Sequence, residues 1–180
     1  MNIRRRHLLA TLPLMSAAAM LGGCAVSTVN GVTTVTLNLN TLESYSIATK
    51  NGVATLLSIP LIATALGSAK IVMINAVVAD MAAQVAALNA ANKGVATLVF
   101  TANSVPAAVA AFEADAKAIM SDVVVVAGSL AGSLASNIVT TVDALQTILA
   151  LAEAVAATTA SATMPKMTQA QALAVLGVTK

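Results

Sequence analysis

Residues 71–88 read IVMINAVVADMAAQVAAL, and they decide the fold class of this chain. Their large apolar side chains recur three and four positions apart, which keeps one face of a helix apolar. The polar residues Lys70, Asp80 and Gln84 fall off that face. The spacing therefore predicts an amphipathic helix that packs against other helices. Its apolar positions are Ile71, Ile74, Val78, Met81, Val85 and Leu88.

A second helix is predicted on the N-terminal side of this one. Asn40, with Glu43 three residues later, resembles a capping box at a helix start. The helix is expected to end at Ile59-Pro60, because the residue before a proline avoids the helical region. The dipeptide Asn51-Gly52 lies inside this span and is typical of a turn, so a turn within the segment stays open as an alternative.

Two later segments also carry helix-start signals. Ser104 suits an N-cap and Pro106 lies just inside the start, where its missing N–H costs nothing. Thr168 and Gln171 form a capping box that opens a short terminal helix, and Gly177 is placed to end it. We expect this last helix to dock on the body of the protein, since so short a helix is marginal in isolation.

The β-structure predicted from the sequence is small. Residues 32–39 alternate between apolar and polar side chains, as a half-buried strand does. A second β-rich run covers residues 95–101, and the two runs are expected to pair across a long sequence gap. Residues 24–31 lack strong periodicity and are interpreted as a polar tether. The predicted fold class is thus mainly α: an alanine-rich helical bundle with a small two-stranded β element.

Residues 123–142 form a 20-residue stretch without a formal charge, long enough to cross a bilayer. Gly128, Gly132 and Ser136 recur every four residues, as in close contacts between helices. Several hydroxyl and amide side chains in the same stretch weigh against insertion. We therefore expect a water-soluble helix with a close-packed seam of Gly, Ser and Ala, and a spanning helix is the alternative. Residues 156–167 are small, polar and interrupted by proline, hence a predicted loop.

Composition narrows the possible functions. Alanine supplies 41 of the 180 residues, and charged residues make up only 9%. Beyond residue 23 the chain has no His, Arg or Trp, and its six lysines face seven carboxylates. The commonest general base, metal ligand and phosphate clamp are therefore missing, and no basic patch remains for nucleic acid. We expect no enzyme activity, no cofactor and no bound metal.

One group of carboxylates lies close together in the sequence. Asp115 and Asp122 are about 10 Å apart along a helix, too far to share a metal, and Glu113 points in another direction than Asp115. We interpret the three as a solvated acidic face. Glu113 and Lys117 have the favourable order for an ion pair on one helix face.

The first 24 residues carry the clearest functional signal. Arg4, Arg5, Arg6 and His7 precede an apolar run from Leu8 to Leu21, which ends on Gly22-Gly23-Cys24. A basic head, a short apolar middle and a small-residue exit are typical of an export signal peptide. Residues 1–23 are therefore predicted to be a leader.

The end of that leader, Leu21-Gly22-Gly23-Cys24, resembles the lipobox of bacterial lipoproteins. The resemblance implies that the Cys24 thiol receives a diacylglyceryl group, that cleavage occurs just before Cys24, and that the new terminus is an anchor. More than one acyl chain holds a soluble domain firmly on a bilayer. An ordinary secretory signal, with the cut after Ala25, is the alternative. Because Cys24 is the sole cysteine, no internal disulfide is expected.

The start of the leader resembles a second export signature. Arg5-Arg6-His7-Leu8-Leu9 is similar to the twin-arginine motif, although Arg4 replaces the usual serine or threonine. A general secretion leader has a similar basic head. The export route is left open between the two.

These features predict three regions: a signal peptide over residues 1–23, a lipidated tether over 24–31 and one helical domain over 32–180. The expected protein is lipid-anchored in the bacterial envelope and faces the periplasm, with a structural or protein-binding role. Ala25 carries no inner-membrane retention signal, so the resemblance implies the outer membrane. The alternatives are a membrane-perturbing or pore-forming helical protein, whose inserting arm would be residues 123–142, and a carrier of an apolar ligand between helices.

Overall fold

The structure, a computed structural model, describes residues 24–154 and 167–178. The described chain is mainly helical with one small antiparallel sheet, as the sequence predicts. The strands are β1 (Cys24–Val29), β2 (Val32–Asn38) and β3 (Thr97–Thr101). The helices are α1 (Leu39–Leu57), α2 (Pro60–Leu66), α3 (Ser68–Ala91), α4 (Ala107–Ile119), α5 (Val125–Ser129), α6 (Ser136–Glu153) and α7 (Gln169–Val175).

The sheet has three strands where the sequence predicted two. The additional strand is β1, formed by residues interpreted above as a tether, and that prediction was wrong. Asn30 and Gly31 both have positive φ, 50° and 77°, and they connect β1 to β2 in a two-residue hairpin. An Asn-Gly pair between alternating segments is a strong hairpin signal, because both central residues of such a turn need positive φ. The folded body therefore includes residues 24–31.

The pairing predicted across the long sequence gap is confirmed. Strand β3 lies antiparallel to β2, with Leu37 opposite Leu98 and Val35 opposite Phe100. It begins at Thr97, two residues later than predicted. One face of the sheet carries Cys24, Val35, Leu37 and Phe100 and is buried, while the threonine-rich opposite face is largely open to solvent.

Helix α1 starts earlier than the capping-box signal indicated. Its N-cap is Asn38, whose side-chain oxygen accepts from the backbone N–H of Asn40 at 3.0 Å and of Thr41 at 3.3 Å. Leu39 is 0% exposed, so its burial favours a helix that already includes it. As predicted, the helix ends shortly before Pro60, which is the first residue of α2.

Gly52 lies at a close contact of α1 with α6 and with the C-terminal end of α7. The dipeptide Asn51-Gly52 lies in the middle of the helix, so the alternative of a turn there is wrong. A Cβ atom at Gly52 would lie 2.9 Å from Cδ2 of Leu176 and 3.2 Å from Cδ1 of Leu145. The missing side chain therefore makes room for α6 and for the C-terminal end of α7.

The helix predicted from residues 71–88 is confirmed. Ile71 is only partly buried, whereas the other five predicted core positions of α3 are buried. For α4, the N-cap is Pro106, which makes no side-chain capping bond, so the prediction of Ser104 as the cap was wrong. Ser104 instead closes a turn, its backbone N–H donating to the carbonyl oxygen of Thr101 at 2.9 Å.

Residues 123–142 do not form one helix. A π-helical turn at Met120–Val124 leads into α5, a 3₁₀ turn follows at Ala131–Ser133, and α6 begins at Ser136. Added Cβ atoms at Gly128 and Gly132 would meet no atom within 4 Å, so the predicted close-packed seam is absent. Glycine is costly within a helix when no neighbour exploits the missing side chain. Leu130, Leu134 and Ile138 are only partly buried, and continuous burial begins at Val142 in α6.

The terminal helix α7 forms as predicted. The Thr168 hydroxyl accepts from the backbone N–H of Gln171 at 3.3 Å, and the Gln171 side-chain oxygen accepts from the Thr168 N–H at 2.9 Å. At the other end Gly177 has φ 73°, which lets the N–H of Val178 bond to the carbonyl of Leu173 at 2.9 Å.

The same helix docks on the body of the protein. The side-chain amide of Asn51 in α1 donates to the carbonyl oxygen of Leu176 at 2.9 Å. Leu173 and Leu176 are buried. The predicted loop 156–167 lies outside the described residues except for Met167.

We predict that Gly52→Val destabilises the protein by about 1–3 kcal/mol, because the branched side chain overpacks the contact with Leu145 and Leu176. Gly128→Val makes the same change in a helix at an open position, so its effect should stay within about 0.5 kcal/mol. Urea unfolding followed by circular dichroism measures both. Equal losses for the two variants would contradict the close approach at Gly52.

Candidate functional site

Cys24, the predicted lipidation site, is the first residue of β1. It lies opposite Leu37 in the terminal pair of the β1–β2 ladder. Its side chain is 8% exposed and belongs to the hydrophobic core, together with Leu37, Leu39 and Tyr45. The predicted anchor residue is therefore seated inside the fold. The other predicted signal residues, Arg5, Arg6, Leu21, Gly22 and Gly23, lie outside the described residues.

Burial changes the chemistry of that thiol. It raises the pKa of Cys24 from 9.0 to about 11, because the core disfavours the thiolate. The pKa of Tyr45 is raised as well, first by its own burial and then by the charge that a Cys24 thiolate would carry. A thiol reacts as a nucleophile through its thiolate, so Cys24 is a poor nucleophile while it is seated in the sheet.

Cys24 pairs with Leu37 at the end of the sheet where β2 leads into α1. The backbone N–H of Leu39, at the start of α1, donates to the carbonyl oxygen of Ala96, just before β3, at 2.8 Å. The start of α1 and the end of α3 are thus next to the sheet. The stretch of α3 from Val72 to Leu88 covers about 24 Å at a rise of 1.5 Å per residue. The first turns of α3 are therefore separated by that length of helix from the end of α3 that adjoins β3, where the side-chain amide of Asn92 donates to the carbonyl oxygen of Thr97.

Helix α3 has a second apolar face, which we call the α3 outer face. It lies away from the buried core positions, and its residues also recur every three and four positions. Val72 is the largest of them and is 70% exposed. Apolar residues repeated in this way let two helices pack along a seam. The face consists of Ala69, Val72, Ala76, Ala79, Ala83, Ala86 and Ala90, and every one is exposed.

Among the described residues, α3 is the one helix long and apolar enough to cross a membrane, with a mean hydropathy of 1.9 over its most apolar 18 residues. Only 28% of that window is buried within the protein. Helices α1 and α2 pass the same test only as a pair, which is bent by 96°. Core helices of water-soluble proteins also meet this criterion.

A groove lies between α1 and α3. Its volume is about 220 Å³. Drug-sized ligands usually occupy pockets of about 300–1,000 Å³, so the groove is small for an apolar cargo. Its polar lining comes from Glu43, Ser46 and Asn89, and Ile47, Ala82, Val85 and Ala86 complete it.

The carboxylates predicted to form a solvated acidic face have protein partners instead. The ammonium group of Lys70 lies 2.6 Å from a carboxylate oxygen of Asp122 and links α3 to the π-helical turn. Glu113 pairs with Lys117, as the sequence predicts. These pairs are partly exposed and contribute little stability. In the described part of the chain, no cluster of three or more His, Cys, Asp or Glu residues could hold a metal ion.

Asp115 departs most from the prediction that the three carboxylates form a solvated acidic face. It accepts a hydrogen bond of 2.7 Å from the side-chain amide of Gln84, across the contact between α3 and α4. Its pKa is raised, mainly by burial and further by the charge of Asp80, and the bond from Gln84 opposes the shift. The pKa of Glu153 is raised too, chiefly by burial. The fold thus makes both groups harder to ionise than they are in the unfolded chain.

No protein-family model matches this sequence, and no curated protein and no solved structure matches it either.

We predict that the free energy of unfolding rises when the pH is lowered from 7 towards the ordinary carboxyl range. A raised folded-state pKa means that the unfolded chain ionises first. The stabilising contribution of each group is therefore fully present below its pKa in the unfolded chain. It is lost as the pH rises through its pKa in the folded protein. Asp115→Asn, which still accepts the Gln84 bond, should weaken this dependence and stabilise the protein at pH 7.

Urea unfolding at a series of pH values measures the effect. Glu43→Gln removes one carboxylate at an exposed position and is the matched control. A pH profile that Asp115→Asn leaves unchanged would argue against a burial cost at Asp115.

Proposed function

We propose that this chain is an exported protein that is anchored through lipid on Cys24 and binds another protein in the bacterial envelope. The proposal joins two observations at different parts of the chain. The residues ending in Cys24 match the lipobox pattern, and α3 presents an apolar face with no partner among the described residues. The second observation carries the binding role, because it is a property of the fold.

The α3 outer face is suited to a partner helix. Small side chains let two helix axes approach closely, and the buried positions of α3 are already used by the core of this protein. None of the seven residues of the face is charged, and exposed Asp80 lies at its edge between Ala76 and Ala83. Large exposed apolar patches on soluble proteins commonly mark interaction sites.

The position of the anchor supports this arrangement. A lipid on Cys24 would hold the sheet end of the molecule at the membrane. The first turns of α3, where Val72 and Met73 are 70% and 64% exposed, are at the end of the helix that does not adjoin the sheet. This end would be accessible to a protein in the periplasm. The lipoprotein resemblance further implies the outer membrane, since Ala25 is not a retention signal.

A membrane-perturbing role is the second candidate, and α3 is the observation that favours it. The helix is apolar enough to span a bilayer and mostly unburied within its most apolar window. The inserting arm proposed from the sequence, residues 123–142, is divided among the π-helical turn, α5, the 3₁₀ turn and the start of α6. The segment that inserts would therefore be α3. To insert, this helix would have to withdraw Ile74, Val78 and Met81 from the core.

We predict that radiolabelled palmitate enters the wild-type protein in growing bacteria, and that Cys24→Ala abolishes both the label and the fractionation with membranes. The reason is that the sole sulfur available for the thioether is removed. Ser27→Ala changes an exposed residue of β1 and leaves the lipobox pattern intact, so it should label normally. Label retained by Cys24→Ala, or absent from the wild type, would remove the anchor from this proposal.

We predict that a double variant, Ala79→Glu with Ala83→Glu, loses the partner without unfolding, because both residues are exposed on the α3 outer face. Affinity purification after cross-linking in intact cells should capture the same protein with the wild type and with the control, Ala54→Glu with Ala114→Glu. Those two alanines are exposed on other helices.

The same two double variants also distinguish protein binding from the second candidate function, membrane perturbation. Leakage of dye from liposomes with the lipid-free wild type and the control, but not with Ala79→Glu and Ala83→Glu, would favour membrane perturbation over protein binding. A partner captured equally by all variants would show that binding occurs elsewhere.

A further inference from the structure

The buried position of the Cys24 side chain conflicts with the lipidation expected at its sulfur. The Cys24 side chain is buried in the core at the terminal pair of the β1–β2 ladder, opposite Leu37 and near Tyr45, which are at most 1% exposed. Protein interiors are close-packed, and even one extra methylene strains them. A diacylglyceryl group on the sulfur cannot be accommodated there.

We propose, resting on the lipid anchor proposed above, that the N-terminal end of β1 has two alternative positions. With a free thiol, Cys24 is seated in the sheet. With a lipid on its sulfur, Cys24 is held outside, and the strand begins later. Burial of the Cys24 side chain in the sheet and lipidation of its sulfur are thus mutually exclusive. The diacylglyceryl group has to be transferred before β1 docks.

The chemistry supports this order of events. In the transfer, a bond forms between Sγ of Cys24 and a glyceryl carbon of a glycerophospholipid donor. The bond from that carbon to the phosphate oxygen breaks, and the phosphate leaves with its headgroup and takes up the thiol proton. The sulfur must be exposed and deprotonated to attack. In the seated position it is buried, and its pKa of about 11 keeps the proton in place.

The rest of β1 can stay in the sheet when Cys24 leaves. Val26 lies opposite Val35 and is itself partly buried, and Asn30-Gly31 fixes the register from the other end of the strand. The outward position therefore involves only the first two residues, and Ala25 is exposed already. A chain that folds before transfer would hide its own acceptor and remain unanchored.

The test uses the full-length chain, produced without lipid. Cys24 is alkylated in denaturant with hexadecyl maleimide, and the protein is refolded in detergent. The sulfur adds across the maleimide double bond, its proton moves to the adjacent carbon, and nothing leaves. The control is the same chain treated with a methylthiolating reagent, which adds only one small group. Hydrogen exchange read by mass spectrometry then compares the two with the unmodified chain.

We expect amide exchange at the Cys24 end of the ladder to accelerate at least tenfold in the hexadecyl form, while residues 27–29 and 97–101 keep their protection. The unmodified thiol should react with maleimide at least a hundredfold more slowly in the native protein than in denaturant. Unchanged protection at Cys24 and Ala25 in the hexadecyl form, or equal thiol reactivity in both states, would overturn the proposal.

Failure of the anchor gives a different result. If palmitate labels the wild type in cells but the hexadecyl form keeps full protection, the anchor stands and the two positions of β1 are refuted. If no lipid reaches Cys24 in cells, the anchor is wrong, and the two-position proposal falls with it even when the alkylated chain opens.

Discussion

The fold depends on the burial of α1 among the other helices. Its side chains Leu42, Tyr45, Ala48 and Leu56 are all 0% exposed, so the helix is covered along its length. Charges are too few, and too exposed where they pair, to determine the arrangement. Apolar contact is the main stabilising force, and Gly52 shows how tightly it is used, since a single added carbon would touch two neighbouring leucines.

The elements that could be predicted from the sequence are those whose signals are local. The spacing of apolar residues in α3 and the capping box of α7 both correspond to what the structure shows, because one helix face or one turn contains all the information needed. The β2–β3 pairing was predictable only as a possibility. Alternation defines β2 and a β-rich composition defines β3, but neither pattern fixes which strands pair.

The features that sequence reasoning missed have two different causes. Strand β1 was missed although Asn30-Gly31 signals a hairpin, because residues 24–29 alone show weak alternation. The shift of the α1 start to Asn38 and the break before α6 have tertiary causes. Burial of Leu39 selects the earlier cap, and no neighbouring helix exploits Gly128. The composition indicated a protein with few charged residues. Neither the burial of Cys24 nor the hydrogen bond of Asp115 follows from a pattern along the chain.

Tyr45 is the single tyrosine of a chain that has no tryptophan, and it is fully buried beside Cys24. Absorbance near 280 nm and intrinsic fluorescence therefore arise almost wholly from one ring at one place in the interior. Solvent that enters at this end changes the environment of that ring directly. The protein thus carries a natural optical probe, with no competing chromophore to subtract.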